Sequence, residues 1–314
     1  MQNKNLVVVF GATASGKTRL GIELANHFNG EIISADSRQV YKGLDIGSGK
    51  DLHEYGNTPY HLIDIVEPTQ EYNAFQYQQD FYTCFTELQN REKLAVLVGG
   101  TGLYIDAVTT GYDFQQVDKN TAQRDEFDKL PLAEVQALLK QLDSAAFATT
   151  DITVRPRLYR AIEIAQDNKI NNGNKNNSNN NNNNKQLAEK PTISPIYLGI
   201  SWDRKILRQR ITARLKERLE QGMIAEVEQL HAQGLSHEKL EFFGLEYRFV
   251  SQYLRKQISY DDMFEKLNIA IHKYAKRQDT WFRRIERRGD KVHWLDGSDN
   301  PTQHAYQVLK EYNF

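Results

Sequence analysis

The chain opens with an apolar, β-branched run, Leu6-Val7-Val8-Val9-Phe10, that stops at Gly11, the pattern of a short buried strand ending in a turn. From Thr18 the period changes: Leu20, Leu24, Ala25 and Phe28 recur at the spacing of one helical face. Glu31-Ile32-Ile33-Ser34-Ala35 and Leu94-Ala95-Val96-Leu97-Val98 repeat the strand signature, with helix-like sequence between them. Such alternation predicts an α/β fold, a parallel sheet flanked by helices. Between 112 and 166 the pattern becomes helical and rich in charge, Leu and Ala, as in Pro131 to Leu142 and Arg157 to Ile164. We therefore expect a core domain made of 1–111 and 192–314, interrupted by a helical insertion domain at 112–191. Strand-like sequence returns at Ile196-Tyr197-Leu198-Gly199-Ile200, and Asp203, after Trp202, is placed to cap a helix. The remainder reads as helical. Ile211, Leu215, Leu219, Met223, Ile224 and Val227 continue one stripe, and Met263, Leu267, Ile271 and Ala275 make another; both are expected to be core packing without chemistry.

Composition adds constraints. Asn171 to Asn184 holds 11 asparagines in 14 positions and no apolar residue, so burial cannot offset its ordering entropy; a disordered surface loop is expected over about 167–191. The chain as a whole is globular in composition, with 39% hydrophobic and 26% charged residues in 314. The apolar run near the start is far too short to cross a bilayer and follows Asn3 and Lys4, so neither a membrane span nor a secretory signal is expected. A single cysteine, Cys84, permits no internal disulfide and points to a reducing cytoplasm. A net charge of -1 gives no overall pull toward nucleic acid, yet 201–218 holds seven Lys/Arg against two acids and 273–291 eight against three. A charge run is commonly a solvated helix face, and it can equally be a phosphate-binding surface.

The strongest chemical signal follows the first strand. Gly11-Ala12-Thr13-Ala14-Ser15-Gly16-Lys17-Thr18 matches the P-loop pattern between a strand and a helix, where its mechanism requires it, and makes the sheet P-loop NTPase-like. Backbone N–H groups and the positive end of the helix attract phosphate oxygens, Lys17 adds a full charge, and the Thr18 hydroxyl is placed to coordinate Mg²⁺. In nucleotide-hydrolysing relatives of this loop a second strand ends in a metal-holding acid. Here Leu94 to Val98 runs instead into Gly99-Gly100-Thr101-Gly102-Leu103-Tyr104, where Thr101 offers a hydroxyl at the carboxyl end of a strand. Asp36 closes the second strand and belongs to the same crevice, where a carboxylate can bind metal or take a proton, or merely cap a helix.

Taken together, several blocks resemble one family, the tRNA dimethylallyltransferases or tRNA isopentenyltransferases, of the bacterial type. They are Gly11 to Thr18; Ile32 to Ser37 with Val40-Tyr41; Leu44 to Lys50; His61 to Asp64; Leu97 to Tyr104; Arg157 with Arg160 to Glu163; Gly244 to Arg248; and Ala275 to Arg283. The resemblance spans nearly the whole chain and departs from the family at Ala12 and at Thr149 to Thr153, before Arg157. It implies transfer of the dimethylallyl group from dimethylallyl diphosphate to N6 of adenosine 37 in tRNA, with Mg²⁺, in a cytoplasmic enzyme expected to be monomeric. It implies Asp36 as general base, Thr101 as a hydrogen-bonding group near the reacting centre, and Lys17 with the P-loop and Arg214 on the diphosphate. For the tRNA anticodon stem-loop it implies Asp36, Ser37, Arg38, Gln39, Thr101, Arg248, Lys276, Arg277 and Arg283, with Arg124, Arg157 and Arg160 from the insertion. The target base must leave its stack to reach such a site. Competing readings are an adenylate isopentenyltransferase acting on a free nucleotide, a small-molecule kinase, and a non-catalytic RNA-binding P-loop protein. The absent acid after Val98 counts against the kinase, and retention of Asp36 and Thr101 against the last.

Overall fold

In the computed structural model, residues 4–115, 117–173 and 188–314 are described. By internal contacts the chain divides into two compact units, Met1–Tyr112 with Leu187–Phe314, and Asp113–Gln186. The first unit carries one six-stranded sheet built from β1 (Leu6–Gly11), β2 (Gly30–Ala35), β3 (Tyr60–His61), β4 (Leu94–Gly99), β5 (Pro195–Ser201) and β6 (Val292–Asp296), in the order β3-β2-β4-β1-β5-β6. All the strand pairs are parallel. Because side chains alternate across a strand, Leu6, Val8 and Phe10 feed one apolar cluster while Val7 and Val9 feed the other. Burial on both faces explains why β1 and β4 read as unbroken apolar runs.

Helices α1 (Lys17–His27), α2 (Ala74–Asn90) and α3 (Gly102–Thr109) connect these strands. The helices of the second unit follow in the chain: α4 (Thr121–Lys129), α5 (Leu132–Leu142), α6 (Ser144–Thr149) and α7 (Arg155–Gly173). They enclose their own core of Phe127, Val135, Leu139, Leu158, Tyr159, Ile162 and Ala165. Helix α7 runs to Gly173, so residues 167–173 are helical where the composition suggested the start of a loop. Once α7 is formed, each added residue gains a hydrogen bond without a new nucleation cost. The rest of the asparagine tract, from 174, lies outside the described residues.

After β5 the chain forms α8 (Arg204–Glu220), α9 (Met223–Ala232), α10 (His237–Phe242), α11 (Leu245–Leu254), α12 (Tyr260–Arg287) and, beyond β6, α13 (Pro301–Glu311). Asp203 caps α8 as its position suggests, its carboxylate accepting from Lys205 N and Ile206 N. The expected stripe from Ile211 to Val227 is split between α8 and α9, because Gly222 sits at φ 102° and ends one helix before the next begins. Strand β6 corrects the expectation of an all-helical C-terminal part. Its Val292-His293-Trp294-Leu295-Asp296 buries only Leu295 and gains its conformation by pairing with β5 at the sheet edge. Among the described residues, no helix is long and apolar enough to cross a membrane.

Candidate active site

The carboxyl ends of β1, β2 and β4 meet in one crevice, because β4 lies between the other two in the sheet. The P-loop leaves β1 there. Ala14 and Gly16 adopt left-handed φ values of 61° and 91°, which curl the backbone before α1 starts at Lys17. Three side chains from distant sequence hold this loop from outside. Gln278 of α12, buried, accepts from Thr13 N at 2.9 Å and donates to Gly100 O at 2.9 Å, joining the P-loop to the turn after β4. Arg210 Nε donates to Ala14 O at 2.9 Å, and Trp202 Nε1 to Ser15 O at 2.9 Å, with the Arg210 guanidinium 4.2 Å from a ring centre of Trp202.

Lys17 lies partly buried at the head of α1, and burial pulls its ammonium down to about 8, with Arg214 adding to the shift and Asp36 opposing it. It lines a cleft of about 400 Å³ together with Gly16, Thr18, Arg210, Arg214 and Arg218. Arg214 forms an ion pair with Asp51, a residue just past the Leu44 to Lys50 block. That block is itself anchored. The Glu226 carboxylate accepts from the backbone N–H groups of Asp45, Ile46 and Gly47 and from the Tyr247 hydroxyl, while buried Lys50 bridges Asp45, Asp64 and the Tyr41 carbonyl.

Asp36 and Thr101 stand side by side beyond the paired strand ends Ala35 and Gly99. Thr101 N donates to Ala35 O at 3.1 Å, and the Thr101 hydroxyl oxygen accepts from Ser37 N at 3.0 Å. Asp36 Oδ1 accepts from Arg38 N at 2.9 Å, which fixes the carboxylate as a turn and leaves it partly exposed at the crevice. Thr101 precedes α3 without capping it, so its side chain is not used up as a helix cap. Ser37 and Arg38 are likewise partly exposed. Gln39 differs: it is 9% exposed, with Oε1 accepting from Ser34 Oγ and Nε2 donating to Gly49 O, so in this structure its side chain braces the turn from within.

Arg248 on α11 and Lys276, Arg277 and Arg283 on α12 are all exposed. The arginines of the second unit are mostly engaged internally. Arg124 makes a two-pronged ion pair with buried Glu163, at 2.7 and 2.8 Å. Arg160 donates to the Val117 and Gln115 carbonyls, whereas Arg157 is 65% exposed and pairs with Asp151 at 3.0 Å. Glu163 and the carbonyls thus account for Arg124 and Arg160 as structural ties, and Arg157 alone of the three presents its guanidinium broadly to solvent. Four further residues of the site, Gln278, Asp51, Arg210 and Arg218, do not stand out from the linear pattern. Gln278 carries one signal, since a polar residue sits there on the otherwise apolar stripe of α12.

Residues 39–285 match the IPP transferase family and residues 4–59 the isopentenyl transferase family. The chain belongs to the IPP transferase family. It is 61% identical over 311 residues to tRNA dimethylallyltransferase 2 of Shewanella sediminis, covering 99% of each chain. It is 50% identical over 306 residues to tRNA dimethylallyltransferase 1 of Geotalea uraniireducens, covering 98% of this chain and 97% of that one. The crystal structure of a tRNA isopentenylpyrophosphate transferase from Bacillus halodurans superposes with a TM-score of 0.70 at 28% identity, covering 99% and 97%. A eukaryotic dimethylallyltransferase acting on tRNA shares the fold, with a TM-score of 0.81 at 22% identity over 98% of this chain and 79% of that one.

Proposed function

We propose that this transferase moves the dimethylallyl group of dimethylallyl diphosphate to N6 of adenosine 37 in tRNA and releases diphosphate. The observation that carries the reading is the pairing of Asp36 and Thr101 at adjacent strand ends beside a P-loop. Allylic C–O cleavage places negative charge on the departing diphosphate, and a dry pocket of oriented N–H groups and cations stabilises that charge more than the ground state. The P-loop from Gly11 to Thr18, Lys17 and Arg214 supply this field. The adenine N6 lone pair forms the new C–N bond, the C–O electron pair leaves with diphosphate, and the N6 proton passes to the Asp36 carboxylate. Thr101 steadies the turn that carries Asp36 through Ser37 N, which supports assigning its hydroxyl a hydrogen bond near the reacting centre.

Among the described residues no cluster of three acids, histidines or cysteines could hold a metal by itself. Thr18, which lines the cleft, is the residue whose hydroxyl would help to hold a Mg²⁺ brought in with the diphosphate. Such an ion would add to neutralisation of the leaving charge. For tRNA, the exposed cations Arg248, Lys276, Arg277 and Arg283 are assigned phosphate contacts on the core unit, with Arg157 on the insertion, and the partly exposed Ser37 and Arg38, next to Asp36, are assigned to the extruded base.

The test is to incubate the protein with labelled dimethylallyl diphosphate and Mg²⁺ in the presence of unmodified tRNA, AMP or ATP. Label in tRNA is the expected outcome. Label in the free nucleotide, or phosphate transfer from ATP to an acceptor with no prenyl transfer, would replace the proposal.

A further inference from the structure

Helix α8 carries three arginines one turn apart, Arg210, Arg214 and Arg218, and all three line the P-loop cleft. Their spacing of four residues places them on one helical face. The first two are accounted for: Arg210 holds the Ala14 carbonyl and Arg214 pairs with Asp51. Arg218 is not. Its side chain is only 9% exposed, its Nε has no hydrogen-bond partner, and its Nη1 reaches the Gly47 carbonyl only at 3.4 Å. The nearest carboxylate oxygen, on Asp51, lies 4.0 Å away and is already engaged by Arg214. A buried guanidinium whose nearest carboxylate stands 4.0 Å off and serves another arginine is costly, and natural cores rarely leave one so poorly matched.

The surroundings are arranged around this cation. A Cβ at Gly49 would overlap the Arg218 guanidinium, so the glycine keeps the space that the side chain fills. Ser15, inside the P-loop, also has a buried hydroxyl without a partner. Arg218 shares with Arg214, Thr13, Ala14 and Glu246 a small hollow that adjoins the main cleft. Burial drives the Glu246 carboxyl up and the Arg218 guanidinium down, as expected when the two charges only partly compensate one another.

We propose that Arg218 is a further diphosphate-binding residue, the second arginine of an α8 clamp that grips the diphosphate from the side opposite the P-loop. Its planar fork suits two phosphate oxygens at once, and ligand charge supplies the close anionic partner that Asp51, at 4.0 Å, does not. The inference rests on the proposed donor site, and it adds a residue that takes the load of the leaving group after cleavage as well as before.

The probe is inorganic pyrophosphate, titrated calorimetrically into the full chain with Mg²⁺ present, alongside tRNA binding and thermal melting. Arg218→Met should weaken pyrophosphate binding by about ten- to a hundredfold, the effect of removing one charge-assisted hydrogen bond, with tRNA affinity unchanged. Arg218→Lys, which keeps the charge without the fork, should fall between. A folded R218M protein with wild-type pyrophosphate affinity overturns the proposal; if R218M does not fold, wild-type affinity in R218K does so. Weakened pyrophosphate binding in R218M, together with a native protein that transfers no dimethylallyl group, would sink the functional reading and leave the Arg218 assignment standing. Intact transfer with no effect of either variant would do the reverse.

Discussion

Lys17 is the residue whose chemistry is most exposed to its surroundings. With its ammonium brought from 10.5 to about 8, it is charged at neutral pH and loses its proton as pH rises through about 8. Diphosphate affinity should therefore fall above that pH, and Lys17→Arg should move the decline to higher pH; a flat titration from about 7 to 9.5 in the native protein would contradict this. The linked effect on stability has the opposite sign. The unfolded chain holds the Lys17 proton up to 10.5 while the folded one releases it near 8, so the ligand-free protein gains stability between these values as pH rises. Asp36→Ala should abolish turnover and preserve tRNA affinity, measured separately by single-turnover transfer and filter binding, since the carboxylate is assigned to proton removal and not to docking. Both residues could be picked out from sequence, because a P-loop and a strand-end acid are local patterns. The cause of the Lys17 shift could not, since it comes from packing and from Arg214, far along the chain on α8.

Helix α12 shows how one element serves core and site together. Met263, Leu267, Ile271, Ala275, Phe282 and Ile285 are buried on one face, and a capping box at Ser259 and Asp262 starts it. Gln278 lies on that same face and uses its two amide atoms on the P-loop and on Gly100. Gln278→Leu keeps the volume and removes both bonds. It should cost about 1–3 kcal/mol in urea unfolding, from the two stranded backbone groups, and weaken diphosphate binding as the loop loosens. At the junction of α8 and α9, Gly222 has φ 102° and open space where a methyl group would point, so Gly222→Ala tests backbone strain without collision. The expected cost is about 1–2 kcal/mol by thermal melting. Periodicity reveals both helices, yet it runs them together, because a hydrophobic stripe carries no mark of the turn that a left-handed residue inserts.

For the molecule as a whole, a net charge of -1 conceals a sharp local sorting of cations. On α8, Arg210, Arg214 and Arg218 line the phosphate cleft, whereas Arg204, Lys205, Arg208 and Lys216 line a separate groove with His272. Binding of a polyanion to the exposed cations of α11 and α12 must release counterions. Replacing Lys276 and Arg277 together by Gln should lower the salt-dependence slope of tRNA affinity by about 0.7–0.9 for each phosphate no longer neutralised, while leaving pyrophosphate binding unchanged. An unaltered slope would move the tRNA surface elsewhere. The expected phosphate contacts of Arg124 and Arg160 meet a physical obstacle of the same kind, since Glu163 and two carbonyls already take those guanidinium groups.

The strand, turn and helix around Gly11 to Thr18, the acid after β2 and the hydroxyl after β4 follow from short-range order: each depends on neighbours within a few residues, and the parallel sheet follows from their alternation. Which cations reach the diphosphate does not follow from composition. Seven Lys/Arg in 201–218 look alike in the linear chain, and only the docking of α8 against a loop at the opposite end of the sequence turns Arg210, Arg214 and Arg218 inward. Strand β6 owes its form to the same long-range pairing. Helical and extended geometry are set by local torsions and side-chain period, but burial, and with it the charge state and partner of each polar group, is a property of surfaces brought together by the whole fold.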